Sequence, residues 1–279
     1  MANEVISTVE SNAIIPEVWS AKFYDVLLPM LPFNNLVSRD YEGEIANLGD
    51  IVNISTIPEF GDAGELAEGA AADADKISIT GQQLVINKRI HKDYIITKKS
   101  QLQSLSFMDG VRDKAIFSIM KRMQAVIIAE IIPSASAPDH QIAYDSGSTL
   151  ALADLLEAKE LLDLQDVPDS NRQGVMGAAQ WNDLFNITGF TSRDFIPAGS
   201  PLTEGSIKTP IAGFLPRMTT EVGSTSYWFH PSFMTMAVQD SLNIEVFNLG
   251  VDGVRGSRVN VDLLMGVKQL DNKRVVTLG

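Results

Sequence analysis

The run from Ser106 to Ile132 constrains this chain more than any other. Apolar residues fall at 108, 111, 115, 116, 119, 120, 123, 126, 127 and 131, and Pro133 ends the run. That spacing predicts one helix with a broad apolar face. Ser106 suits the N-cap, and Asp109 suits the positive N-terminal end of the helix. Arg112, Asp113, Lys121 and Arg122 mark its polar face. A helix of that span is about 40 Å long, well beyond the ordinary helix of a globular domain. It serves either as a beam against which other elements pack or as a long core helix of an α+β domain.

Composition narrows the function classes. The chain has 279 residues, 45% of them hydrophobic, enough for a substantial core in one large domain or two interleaved ones. Its 22 basic and 35 acidic side chains give a net charge of −13, a poor balance for wrapping nucleic acid, which needs clustered Lys and Arg. There is no cysteine, which removes disulfides, thiolate metal sites and cysteine nucleophiles. The N-terminal residues, Met-Ala-Asn-Glu-Val-Ile-Ser, lack the basic and apolar regions of a signal peptide. The most apolar segment, Ala125 to Ile132, contains Glu130 and is far shorter than a membrane span. A soluble chain made in the cytosol, with no membrane partner, is expected.

Ahead of the beam, residues 1 to 13 read as a loose arm. Pro16 and Glu17 then start a short helix whose face carries Trp19, Phe23, Val26 and Leu27, closed by Pro29 and Pro32. That aromatic face either folds back on its own domain or docks on a neighbouring subunit. Ile51 to Ile57 alternates as a strand. From Glu59 to Asp75 there are six acids, no bases, three glycines and six alanines, with Phe60 and Leu66 the only large apolar residues. Such a segment cannot bury itself in a core and is expected as a loop tip. Strand signals resume at Ile77 and run to about Thr97, through the basic Lys88, Arg89 and Lys92. The piece from Tyr41 to Thr97 is therefore expected as a long two-stranded hairpin with an acidic tip and a basic base. A two-stranded ribbon is marginal alone and needs a surface to lie on. Its opposite charges either draw two copies together, tip to base, or remain solvated.

Beyond the beam, the spacing predicts a helix over 150–164 with Leu152, Leu155, Leu156 and Leu162 among its apolar positions, capped by Ser148 or Thr149. A short buried strand follows at 174–177, and a short helix at 178–186 carrying Trp181, Leu184 and Phe185. Residues 189–213 read as loop. Strands are expected at 214–220, 227–229, 259–267 and 274–278, with a turn at Asp271-Asn272.

No chemistry emerges from the motifs. His91, His140 and His230 lie apart, without a metal-binding His-Glu-x-x-His spacing. There is no Gly-x-Ser-x-Gly turn. Gly250-Val-Asp-Gly-Val-Arg-Gly lacks the Lys-Ser/Thr ending of a phosphate-binding loop. The carboxylates Glu42 and Glu44, and Asp73 and Asp75, sit in exposed acidic turns. A catalytic site needs convergent titratable groups in a pocket, and none is visible, so no enzyme, cofactor or metal is expected.

The order of these pieces resembles the major capsid proteins of tailed bacteriophages, with the Hong Kong 97-type capsid fold. The residues that carry the resemblance are Ile15-Pro-Glu-Val-Trp-Ser, Asp40-Tyr-Glu-Gly-Glu-Ile and Gly49-Asp-Ile-Val-Asn-Ile-Ser-Thr-Ile-Pro. Late in the chain, Phe229-His-Pro-Ser-Phe-Met-Thr-Met-Ala-Val-Gln and Val254-Arg-Gly-Ser-Arg-Val add to it. Each motif is degenerate alone; their order and spacing across nearly the whole chain carry the likeness. The resemblance implies an α+β fold with an N-terminal arm at 1–35 and an extended loop hairpin with its return strand at 36–97. It further implies a peripheral domain at 98–139 and 251–279 with a spine helix at 106–132, and an axial domain at 140–250.

The same resemblance implies a virion structural protein that self-assembles, as pentamers and hexamers, into an icosahedral shell around double-stranded DNA. Assembly would take place in the host bacterial cytoplasm. The acidic charge would leave the DNA unattached, with no sequence-specific binding. The arm begins almost at Met1, so a separate scaffolding protein is expected, together with a portal protein and, in some shells, a decoration protein. No lysine lies between Glu59 and Asp75, which argues against covalent cross-linking through that loop. Contact between subunits is expected from Trp19 and Phe23 of the arm, Phe60, Leu66, Glu65 and Glu68 of the tip, and Lys88, Arg89 and Lys92 of the base. The alternatives are an encapsulin-like cargo shell, an acidic soluble binding module that grips a basic partner, and a hydrolase with an unrecognised site.

Overall fold

The computed structural model describes residues 31–45, 51–57, 65, 79–98, 105–136, 138–145, 147, 149–187, 210–249 and 256–279. Two short helices, α1 (Phe33–Leu36) and α2 (Glu42–Ile45), precede strand β1 (Ile51–Thr56). Strands β2 (Thr80–Val85) and β3 (Lys88–Thr97) lead to the long helix α3 (Leu105–Ala129). Then come β4 (Gln141–Ile142), α4 (Leu152–Asp163), β5 (Gln173–Met176), α5 (Ala178–Leu184), β6 (Leu215–Met218) and β7 (Ser226–Phe229). The chain closes with β8 (Met234–Asn248), β9 (Gly256–Gln269) and β10 (Val275–Leu278).

Helix α3 forms where its periodicity puts it. Ala115, Ile116, Ile119, Met120, Met123 and Ile127 are buried, while Lys121 and Arg122 are exposed. The buried row packs on the inner face of a three-stranded sheet of order β3-β9-β8. Strand β9 is central and antiparallel to both neighbours, and its alternating Val259, Val261, Leu263 and Met265 point to the helix. Gly256 and Gly266 let neighbouring backbone approach β9: a Cβ at these positions would lie 2.3 Å from the Ile96 carbonyl oxygen and 2.5 Å from that of Val85.

The second sheet, of order β4-β10-β7-β5-β6, is a wall between two cores. Val175, Phe229 and Val275 face the α3 core, whereas Met176, Trp228, Val276 and Leu278 face a second core with Leu155, Ala158 and Leu162 of α4. Burial on both faces explains why β5, β7 and β10 are apolar at successive positions, unlike a half-buried strand. Gly174 makes room for the wall's largest side chain, since a Cβ there would lie 2.3 Å from Trp228 Cζ3. Phe33 of α1 stacks on Phe229 at 5.7 Å and meets Tyr227 edge-on at 5.8 Å, fixing the segment before the ribbon to this wall.

Three expectations are corrected. The two-stranded ribbon does not continue to Thr97: β1 pairs with β2 only from Ile51↔Val85 to Thr56↔Thr80, and β3 pairs with β9 instead. The tail does not return wholly to the sheet on α3. Asn272–Arg274 forms a 3-10 turn, capped by the Asp271 side chain accepting from the Lys273 N–H at 3.0 Å. This turn carries the chain out of β9 and into β10 of the wall. Strands β8 and β9, on either side of residue 250, pair along most of their length. The N-cap of α4 is Ala151 rather than Ser148 or Thr149. The buried Asp154 carboxylate reaches back to the Ala151 N–H at 2.7 Å and also accepts from the Asp145 N–H at 3.2 Å.

Candidate functional site

The surfaces that distinguish this molecule are those of the ribbon and of the sheet beneath it. Val52, Ile54 and Leu84 of the ribbon bury one face against Ala237, Leu264 and Leu270. Gln82 Nε2 donates to the Leu270 carbonyl at 2.9 Å across the root. The ribbon thus finds the surface it needs on the outer face of its own three-stranded sheet. Its other face is bare: Ile57 and Ile79, one step beyond the Thr56↔Thr80 pair, are 63% and 65% exposed. An open groove of about 830 Å³ runs under the ribbon, lined by Gly81 and Gln83, by Glu130 and Ile132 past α3, and by Lys268 and Asp271.

Of the expected contact residues, Lys88, Arg89 and Lys92 lie together on β3, all exposed. Arg89 is engaged within its own chain: Nε and Nη2 donate to Asp262 Oδ2 at 2.9 and 2.5 Å. That bond and the charge of Asp262 raise the arginine's pKa further. Glu65 is exposed, and no ion pair joins it to these bases among the described residues. Trp19, Phe23, Phe60, Leu66 and Glu68 lie outside the described residues.

Sequence reading missed the acidic side of this cluster. Burial and the neighbouring Asp262 charge push the Asp240 carboxyl up from its ordinary value, Arg89 pulls it down, and Glu245 adds to the rise. Asp240 sits where the β8–β9 register shifts, so simple alternation could not place it. Asp262 is legible only once β3 and β9 are known to pair, which sets it opposite His91.

The three histidines stay apart. His91 is exposed. His140 is fully buried, with Nδ1 on the Val275 carbonyl at 3.0 Å. His230 caps the 3-10 turn Pro231–Phe233, its Nδ1 accepting from the Ser232 N–H at 3.3 Å. Burial, then the nearby Arg274 and Arg172 charges, lower its pKa. Among the described residues no group of three or more acids or histidines is arranged to hold a metal ion, and no helix is long and apolar enough to cross a membrane.

A beam helix thus packs under a three-stranded sheet, a ribbon lies over that sheet, and a second sheet is shared between two cores. A family model described as phage capsid protein matches residues 93–278, and the chain belongs to that family of virion structural proteins. It is not an enzyme. Its fold is the Hong Kong 97-type capsid fold. A solved structure from Mycobacterium phage Che8 is 21% identical, with 90% of this chain and 91% of that one covered and a TM-score of 0.72. The capsid structure of the cyanophage P-SCSP1u is 13% identical, with 100% and 91% covered and a TM-score of 0.71. A virus-like particle from Pyrococcus furiosus is 13% identical, with 95% and 100% covered and a TM-score of 0.54. No curated protein matches the chain by sequence.

Proposed function

We propose that this chain is the major capsid subunit that self-assembles, as pentamers and hexamers, into an icosahedral shell enclosing a phage double-stranded DNA genome. The observation that carries the reading is the ribbon. Its root is buried against its own sheet while its distal isoleucines are bare, the arrangement of an element built to be completed by another copy. In this reading the ribbon and its return form the extended loop. Helix α3 with β3, β8 and β9 forms the peripheral unit, and the wall with α4 and α5 forms the axial unit. Trp19 and Phe23 of the arm, Phe60, Leu66, Glu65 and Glu68 of the tip, and Lys88, Arg89 and Lys92 at the root meet neighbouring copies. The net charge of −13 keeps packaged DNA from adhering to the shell. A separate scaffolding protein, a portal and, in some shells, a decoration protein complete the particle.

Deleting Gly61 to Asp75 tests the reading. The truncated chain is expected to keep its far-UV spectrum and melting transition yet yield no shells by negative-stain electron microscopy, while the full chain does. Normal shells from the deletion variant would remove the ribbon from assembly. A full chain that stays monomeric at every concentration, with or without a scaffolding protein, would remove the shell reading. The nucleic-acid content of purified particles separates a genome shell from an encapsulin-like cargo shell.

A further inference from the structure

The wall sheet ends in two unlike borders. On the α4 side, Leu152, Leu156 and Glu160 follow one another at four-residue spacing and so line one stripe of the helix. Leu152 and Leu156 are 40% and 51% exposed, and Glu157 and Glu160 are exposed beside them. The helix buries its opposite side, Leu155, Ala158 and Leu162, and packs on β10, the strand next to the β4 edge. At the other edge stands β6, where Met218 is 47% exposed and the neighbouring Arg217 is exposed. Pro216 removes one backbone donor from this edge, so the border is ill suited to pairing with another strand and offers side chains instead.

One border is therefore leucine-rich and acidic, and the other carries a methionine and an arginine. An α4 border against a β6 border matches apolar to apolar and acid to base. A contact between two different surfaces of one subunit is head-to-tail, and such a contact closes into a ring when the rotation allows.

We propose that Leu152, Leu156 and Glu160 of one subunit dock on Met218 and Arg217 of the next copy, and that this head-to-tail contact joins subunits around a capsomer. It rests on the shell reading and names surfaces that the reading alone does not. Met218 packs on the leucine pair, and Arg217, whose Nε donates to Gln173 Oε1 at 3.3 Å, is held in place to meet Glu160.

The chain contains no cysteine, so introduced thiols report without background. Leu156→Cys, Met218→Cys and the double variant are assembled, treated with a short bismaleimide and run on denaturing gels. The double variant is expected to give a ladder ending at pentamer and hexamer, and each single variant only monomer. Variants that melt like the wild type but no longer assemble, beside a wild type that does, also support the contact. Dimers from Leu156→Cys alone would show α4 meeting α4 and overturn the proposal. Intact shells with no cross-linked product would overturn it as well. A wild type that forms no shell with or without a scaffolding protein would refute the shell reading itself, and this contact with it.

Discussion

Arg172 is the least ordinary side chain in the molecule. It is 1% exposed, and an arginine is rarely buried without partners. Its Nη2 donates to the Val167 carbonyl at 2.5 Å and its Nε to the Pro168 carbonyl at 3.0 Å, while Asp163 and Asp169 lie 2.7 and 3.1 Å away. The guanidinium thus satisfies the irregular backbone between α4 and β5, where Asp166 and Asn171 adopt positive φ. Arg172→Ala leaves those carbonyls without their donor and Asp163 with Lys159 alone. The expected cost is about 2 kcal/mol, the scale of leaving buried hydrogen-bonding groups unsatisfied, read as a lower urea midpoint of the dissociated chain. Arg172→Lys recovers only part of it, because an ammonium does not reproduce the fork. Asp240 supplies a pH test. Its raised pKa means that the folded chain holds a proton the unfolded chain has released. Stability therefore falls as pH rises through the window from the ordinary carboxylate value up to the raised one. Asp240→Asn is expected to flatten that fall and raise the melting temperature at neutral pH, followed by thermal scans across pH.

Among the elements, α3 does more than fill its own core. Gln124 on its buried side donates from Nε2 to Thr219 Oγ1 at 3.0 Å, and Lys121 pairs with Glu221 at 3.0 Å. Both partners follow β6, so the middle of the helix is clasped to the wall. Burying an amide in place of an aliphatic residue is worthwhile only when it is bonded. Gln124→Leu and Thr219→Val are expected to cost less together than the sum of their separate effects. The difference, about 1 kcal/mol, would be a coupling energy of the size neighbouring residues show, measured by a double-mutant cycle on urea unfolding. The helix itself was legible in the sequence, because its period is local and Pro133 marks its end. The clasp was not, since nothing in Thr219 or Glu221 announces a partner almost a hundred residues away. The α4 stripe shows the same limit: Leu152, Leu155, Leu156 and Leu162 all count as apolar in sequence, yet only Leu155 and Leu162 are buried.

At the scale of the whole molecule, the wall sheet makes the chain one structure rather than two beads. Its faces serve both cores, and its strands come from residues as distant as Gln141 and Leu278. The sequence by itself determined many of the elements: the beam from its 3.6-residue period, several strands from alternation or short apolar runs, and the breaks from proline and glycine. It left the short α1, α2 and β4 unassigned, and also the long strand β8, whose pairing register shifts at Asp240. It also determined the family, through short motifs kept in order along nearly the whole chain. Only the tertiary structure decided which strands pair. Lys88–Thr97 leaves the ribbon for β9, and Val275–Leu278 leaves β9 for the wall. The physical reason is that local periodicity records which face of a strand is apolar but not which other apolar face will cover it. That choice depends on turn geometry and on close approaches such as those at Gly256 and Gly266, which exist only once distant segments meet.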